Sequence, residues 1–388
     1  MLIFVNSICF PETDNNTSGI FVYEQCKVLL ELGHQIVVLY PTYKSIKDPN
    51  RFKKECVMHS KYNEFDVYKL KYLFIAQTKV PILSALIYSR NLRKCYNKAV
   101  EKYGKPDIIY SHFSLNAGYG AVCIGKKYNI PVVNLEHYSG FINGKINKRT
   151  KILLRKVIKN SSEFLCVSDH LRKDIVRLTD TKKQILVLPN MVNSIFKYTE
   201  KDNHDTFVFF TVGGLIKRKN FNLLIKLFCK AFSKNEKVRL LIAGEGEEKN
   251  NLNNLIDKTF NRKEQIKLCG SMDRMTLFEE YKKCDAFVLL SEKETFGIVY
   301  REAMCVGRPI ISSKNGGIEC NWEDEFGILV NISDENEIIN ALKTMKKNIS
   351  NYNSKYISLK TTELYSCSKI GKQIEEILKK SIKKAGNK

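Results

Sequence analysis

Short apolar runs alternate along the chain with longer segments whose apolar residues recur every three or four positions. Leu2–Val5 is such a run, and residues 20–32 (IFVYEQCKVLLEL) follow with helical spacing before Gly33. The run reads as a buried strand, the 3.6-residue period as a helix, and the glycine as its stop. Gln35–Tyr40 reads as the next strand, ended by Pro41. Further strands are predicted at Asp107–Tyr110, Val132–Leu135, Phe164–Val167 and Ile185–Leu188, with helices near 81–103, 115–128, 147–159 and 169–178. The rhythm restarts after a polar stretch at 197–205. Strands are expected at Phe207–Val212, Arg239–Ala243, Ile266–Cys269, Ala286–Leu290 and Pro309–Ser312, and helices near 220–232, 247–258, 274–282 and 298–306. A last amphipathic helix covers 368–384. This alternation builds parallel sheets covered on both faces. The expectation is an α/β chain of two doubly wound domains facing a cleft, residues 1–197 and 198–366, with 367–388 packing back on the first. Ligands in such sheets bind at the carboxyl ends of the strands.

A length of 388 residues agrees with two cores rather than one. No apolar window approaches the roughly 18–20 residues of a spanning helix. The start, MLIFVNSICF, lacks a basic leader and reads as a first buried strand. The twelve cysteines are scattered, with no CxxC and no histidine at metal-ligand spacing. A reducing cytoplasm and no structural zinc are expected, with Cys123, Cys166, Cys229 and Cys305 as core residues.

The formal charge is +23, and residues 1–200 carry 31 basic against 16 acidic side chains. The excess bears on the partner rather than the fold. Lys145–Lys159 (KINKRTKILLRKVIK) is rich in basic residues and has no acid. Ile152, Leu153, Leu154, Val157 and Ile158 fall at helical spacing within it. One reading is a core face opposite a solvated basic face; the other is a surface for an anionic membrane or a lipid-diphosphate acceptor. The helix near 81–98 adds basic residues to the same domain. Nucleic acid would fit the charge, but no recognised motif accompanies it.

The densest candidate chemistry lies in SEKETFGIVYREAMCVGRPII, residues 291–311. Glu294 falls in the loop after a buried strand, and Glu302 on the helix that follows. Two acids at this spacing commonly mean a loop acid and a surface helix acid. Here Phe296-Gly297 lets the backbone approach a ligand, and the helix N-terminus offers free N–H groups to an anion or a sugar hydroxyl. The segment Gly213-Gly-Leu-Ile-Lys-Arg-Lys-Asn220 joins a strand to a helix with three consecutive cations.

The run from Glu294 to Glu302 resembles the E-x7-E signature of family 4 glycosyltransferases, which have the GT-B fold of two Rossmann-like domains. The likeness extends in order through FPETDNNTSGIFVYEQCKVLLELGHQIVVLYP, PDIIYSHFSLNAGYG, IPVVNLEHYSG, CVSDHLRKDI, LPNMVNSIF, VGGLIKRKNFNLLI and LLIAGEGEEKNNL. The resemblance implies a retaining, metal-independent transferase using a nucleotide-diphosphate sugar, UDP- or GDP-linked, with no permanently bound cofactor. It implies that Glu302 holds the ribose hydroxyls and that Glu294 contacts the transferred sugar. Backbone groups of Phe296, Gly297 and Ile298 would hold sugar hydroxyls or phosphate. Lys219 matches the family's phosphate-binding lysine. Gly214 stands where an arginine is usual, a gap that Arg218 could fill. Gly19 resembles the glycine that lets a loop approach the diphosphate, and His137 in LEHYSG a residue beside the transferred sugar. The candidate catalytic residues are therefore Glu294 and His137. The first domain would bind the acceptor, a glycan or lipid-linked glycan in surface-polysaccharide assembly, at the inner face of the cytoplasmic membrane. Rival readings are a nucleotide-sugar epimerase of the same fold, a non-catalytic scaffold, and a basic membrane- or nucleic-acid-binding module. A glycosidase acid pair would leave the two nucleotide-type domains unexplained.

Overall fold

The computed structural model describes residues 1–11, 18–44, 55–73, 80–202, 204–259, 262 and 264–386. They fall into two compact units, one of residues 1–191 with 367–388 and one of residues 192–366. The first runs β1 (Leu2–Asn6), α1 (Ile20–Glu31), β2 (Gln35–Tyr43), β3 (Val57–Tyr62), β4 (Phe65–Tyr72), α2 (Pro81–Tyr103), β5 (Ile108–His112), α3 (Tyr119–Tyr128), β6 (Val132–Glu136), α4 (Lys148–Asn160), β7 (Glu163–Cys166), α5 (Asp169–Thr179) and β8 (Leu186–Val187). Its sheet has the order β3-β4-β2-β1-β5-β6-β7-β8. All pairings are parallel except β3 with β4. The central strands β1, β5 and β6 are buried at nearly every position, as expected of strands covered on both faces.

Two differences from the sequence reading stand out. The first is the β3–β4 hairpin at the sheet edge, which the reading missed. The second is that β2 does not stop at Pro41 but runs to Tyr43, pairing Pro41 with Leu70 of β4. The Gln35 N–H donates toward the β1 side, to Met1 O. Residues 37, 39 and 41 share that side by the two-residue period. β1 ends at Asn6 opposite Leu39, so the missing N–H of Pro41 deprives no partner.

The second unit runs β9 (Phe207–Val212), α6 (Phe221–Ala231), β10 (Val238–Ala243), α7 (Lys249–Asp257), β11 (Ile266–Gly270), α8 (Arg274–Lys283), β12 (Ala286–Leu289), α9 (Ile298–Val306), β13 (Ile310–Ser313), β14 (Gly327–Val330), α10 (Glu335–Lys347) and α11 (Ser354–Tyr365). The sheet order is β11-β10-β9-β12-β13-β14, all parallel. The order reverses at β9, so the loops after β9 and β12 leave adjacent strand ends. That is where a doubly wound sheet opens its crevice. Strand β14 and helices α10 and α11 were not read from the sequence.

Helix α12 (Cys367–Gly386) belongs to the first unit. Ile370, Gly371, Ile374 and Leu378 form its buried face. Gly371 lies so close to α1 that a Cβ would stand 2.1 Å from Val28 Cγ1. His34 Nε2 meets Glu375 Oε1 at 2.8 Å, and Lys384 meets Glu163 at 2.6 Å. No disulfide is formed among the described cysteines; Cys166 and Cys305 are buried, whereas Cys123 and Cys229 are only half-buried. No helix among the described residues is long and apolar enough to cross a membrane.

Candidate functional site

In the second unit the site is built on the loop from β12 to α9. Gly297 caps α9 with φ 72° and ψ 57°. This left-handed conformation suits glycine, and a Cβ there would stand 2.6 Å from the Tyr300 ring. The turn leaves the first N–H groups of α9 at the strand end. The Phe296 side chain is buried, under the Arg301 guanidinium at 4.8 Å and against the Tyr365 ring. Only its backbone remains for a ligand.

Glu294 and Lys219 form a largely buried ion pair across 75 residues of sequence. Each sits in a loop fixed by other bonds. Lys219 ends a 3-10 turn, Lys217–Lys219, after β9. Asn220 donates to Leu290 O at 3.1 Å, and the Glu292 N–H donates to Arg218 O at 2.9 Å. The Glu294 N–H donates to Asn315 O at 3.0 Å. Arg218 Nη1 donates to Lys293 O at 2.9 Å, so this arginine ties the Glu294 loop to the β9 loop. Gly214 faces open space: a Cβ there would meet nothing within 4 Å.

Glu302 lies on α9 and is 1% exposed. Its Oε1 pairs with Arg274 Nη1, and Tyr281 Oη lies 3.3 Å from Oε2. Arg274 opens α8 behind its cap Asp273, and its guanidinium stacks 5.3 Å from the Phe196 ring centre. A cation at a helix N-terminus opposes the helix dipole, and the Glu302 carboxylate offsets that here. The sequence reading missed Arg274. It also missed Arg301, which is 1% exposed and donates to Gly317 O at 2.9 Å. The cation in the first turn of α8 was the available signal for Arg274. Arg301 carried none, because its partners are backbone carbonyls.

The remaining candidates lie in the first unit. Gly19 caps α1 at φ 77°, and a Cβ would stand 2.6 Å from Cys9 O. His137 follows β6, with the Phe21 and Phe113 rings 4.5 and 5.2 Å from its own. Its Nε2 lies 3.0 Å from Nδ1 of His112, at the end of β5. Burial holds the His112 imidazole down to about 3, and burial with the neighbouring His112 holds His137 well below its ordinary value. Both rings are neutral at physiological pH.

The fully buried Glu136 carboxylate joins two loops. It accepts from the backbone N–H groups of Ser114 (2.9 Å), His137 (2.8 Å) and Tyr138 (2.8 Å), and from the Ser114 hydroxyl. Burial raises its pKa, and these four donors work against that rise. Phe113, between the loops, has φ 68°, an uncommon conformation for a bulky residue. Beside them is a cavity of about 590 Å³, with Ile8, Phe113, Tyr138 and Phe141 as apolar walls and Asn116, Glu136 and Lys145 as polar ones.

Two family models match adjacent stretches of the chain. The model for Glycosyltransferase Family 4 matches residues 18–194, and that for Glycosyl transferases group 1 matches residues 194–358. The chain belongs to glycosyltransferase family 4, with the GT-B fold, and is a glycosyltransferase. It is 22% identical over 375 residues to the phosphatidylinositol N-acetylglucosaminyltransferase GPI3 subunit of Saccharomyces cerevisiae, spanning 92% of this chain and 78% of that one. It is 34% identical over 143 residues to a Campylobacter jejuni enzyme named as an N-acetylgalactosamine-N,N'-diacetylbacillosaminyl-diphospho-undecaprenol 4-alpha-N-acetylgalactosaminyltransferase, spanning 36% of this chain and 37% of that one. The fold matches Anabaena HepE, solved with UDP and glucose, with a TM-score of 0.71 at 14% identity over 98% of this chain and all of that one.

Proposed function

We propose that the chain is a retaining glycosyltransferase that moves a sugar from a nucleotide-diphosphate donor to a glycan or lipid-linked glycan. The observation that carries this reading is the contact between Glu294 and Lys219, brought together from two loops at adjacent strand ends. Glu302 would accept hydrogen bonds from the ribose hydroxyls, a task suited to an ionised carboxylate. Glu294 would face the sugar and offset positive charge growing at its anomeric carbon. Lys219 and the N-terminus of α9, with the backbone of Phe296, Gly297 and Ile298, would offset negative charge growing on the leaving diphosphate. Gly19 and His137 would serve the donor from the first unit. Arg218 is committed to the Lys293 carbonyl, so no arginine takes the place of Gly214 in this reading. No metal is assigned to the transfer step.

The cavity beside Glu136 is our candidate acceptor site. The similarity to the yeast and Campylobacter relatives, one named for phosphatidylinositol and one for a diphospho-undecaprenol substrate, supports a lipid-linked acceptor. So does the exposed basic face of α4. We place the enzyme at the inner face of the cytoplasmic membrane, in surface-polysaccharide assembly.

A thermal-shift screen across UDP-, GDP-, ADP- and dTDP-sugars tests the reading. A true donor at a hundredfold excess over its Kd adds about 2.7 kcal/mol of stability. One donor series should raise Tm; no shift from any of them would overturn the proposal.

A further inference from the structure

The segment after β6 holds an exposed aromatic ring in a fixed place. The Tyr138 N–H donates to Glu136 Oε1 at 2.8 Å, which anchors its backbone to a fully buried carboxylate. The chain then makes a 3-10 turn, Ser139–Phe141, and Phe141 and Ile142 enter the core. Asn143 closes the segment, its N–H donating to Asp174 Oδ2 at 2.7 Å. The Tyr138 ring lies against Gly140, where a Cβ would stand 2.3 Å from ring atom Cε1. It meets the Phe141 ring at a right angle, with centres 5.3 Å apart. Half of Tyr138 is nevertheless exposed, and it lines the cavity of about 590 Å³. Ordering a side chain costs rotamer freedom. Here the order is built in although the ring gains little burial from it, which is the condition of a preorganised binding surface.

The polar groups of the cavity decide what such a ring receives. Glu136 is the one acid among the described residues that line it. Its Oε1 accepts from the N–H groups of His137 and Tyr138, and its Oε2 from the N–H and hydroxyl of Ser114. A carboxylate has about four lone-pair sites, so Glu136 has none left for a ligand. Asn116 Nδ2 donates to Tyr43 Oη at 3.0 Å, which leaves Oδ1 of Asn116 to accept. Asn147 Oδ1 caps α4 by accepting from the Thr150 N–H at 2.8 Å, which leaves Nδ2 of Asn147 to donate. Lys145 adds a cation to the same wall. A hydrocarbon tail makes no use of these groups. A pyranose does: its C–H face lies on an aromatic ring, and the hydroxyls at its edge pair with amides.

We propose that Tyr138 is the stacking platform for the sugar of the acceptor, with Asn116 and Asn147 reading its hydroxyls. The inference rests on the reading of this cavity as the acceptor site. It names the part of a lipid-linked glycan that enters, a pyranose ring rather than the lipid tail. Glu136 and Gly140 act through Tyr138, one holding its backbone and the other leaving room for its ring.

The test needs no turnover. Saturation-transfer NMR of the full chain is run with the methyl glycosides of glucose, galactose, N-acetylglucosamine and N-acetylgalactosamine, and with farnesyl phosphate as the lipid probe. At least one glycoside should bind, with saturation strongest on the C–H hydrogens of one ring face. Tyr138→Phe keeps the ring and should hold Kd within about twofold, whereas Tyr138→Leu keeps only an apolar group and should weaken binding roughly fivefold or more. Gly140→Ala displaces the ring from its seat and should weaken binding as Tyr138→Leu does, at a Tm close to wild type. A panel in which no glycoside signal depends on Tyr138 overturns the proposal. So does Tyr138→Leu binding as well as Tyr138→Phe, which marks a merely apolar wall, or Gly140→Ala binding like wild type. A signal that depends on Tyr138 for farnesyl phosphate and for no glycoside overturns it in favour of the tail. Failure of every donor sugar to raise Tm would sink the transfer reading, and the glycoside result would still decide what Tyr138 binds.

Discussion

Glu294 and Glu302 each carry a cation of their own, Lys219 and Arg274. They are therefore not a coupled acid–base pair, and each carboxylate is oriented separately. Lys219 and Glu294 were legible because each stands at a strand-to-helix turn in a motif. The pairings were not, since Arg274 reaches Glu302 only through the packing of α8 beside α9. Removing Lys219 leaves a largely buried carboxylate without its partner. Lys219→Met should weaken nucleoside-diphosphate binding at least tenfold by calorimetry and lower Tm, as breaking a buried pair costs about 3–5 kcal/mol. Gly214 behaves oppositely. Open space around its missing Cβ means that Gly214→Arg should leave stability within about 0.5 kcal/mol in urea melts. A larger loss would show that the glycine is required by the fold and is not merely a departure from the family pattern.

At the scale of elements, buried strands and long amphipathic helices were the easiest to read. β9 and α9 fall where their apolar pattern put them, residues 207–212 and 298–306. The β3–β4 hairpin was missed although its turn was visible: Asn63 adopts φ 50° between Tyr62 and Phe65, the two-residue geometry that asparagine favours. Its strand β3 is mostly exposed, so no apolar run announced it. Asp66 pins the hairpin. Burial would raise its carboxyl, but hydrogen bonds from Tyr103, His59 and Lys102 outweigh that and bring it from 3.8 to about 2. A depressed carboxylate stabilises the fold above its unfolded value, and the contribution is lost as pH falls through the folded one. Stability should therefore drop between about pH 4 and 2 more steeply in wild type than in Asp66→Asn, as read by urea melts. Helix α4 raises a second question at this scale. Lys151 and Arg155 are paired with Asp180, while Lys148, Arg149 and Ile152 are exposed. On α2, Leu83 and Leu86 are about half exposed, and Arg90 and Arg93 follow them. Reversing Lys148 and Arg149 should weaken flotation with anionic liposomes by roughly fivefold per charge, at about 1 kcal/mol each. Unchanged flotation would remove the membrane surface from the account.

At the scale of the molecule, two doubly wound units are the physical consequence of a strand–helix rhythm that runs, pauses and restarts. That much was legible because every buried parallel strand must be apolar along its length. The C-terminal elements β14, α10 and α11 were not read, although Asp334 caps α10 by accepting from the Glu337 N–H at 3.0 Å, a capping pattern present in the sequence. The net charge of +23 is a property of the whole chain, and it suits anionic partners without naming one. The central claim is that the two glutamates hold different parts of one donor. It is tested most directly by calorimetry with UDP or GDP, whichever the donor screen selects, on wild type, Glu302→Gln and Glu294→Gln. Glu302→Gln should weaken binding at least tenfold, consistent with losing a charged hydrogen-bond acceptor worth about 1.5–3 kcal/mol. Glu294→Gln should bind within about threefold of wild type and yet lose transfer, because its partner is the sugar that a free nucleotide lacks. Wild-type nucleotide affinity in Glu302→Gln, or wild-type transfer in Glu294→Gln, would contradict the account.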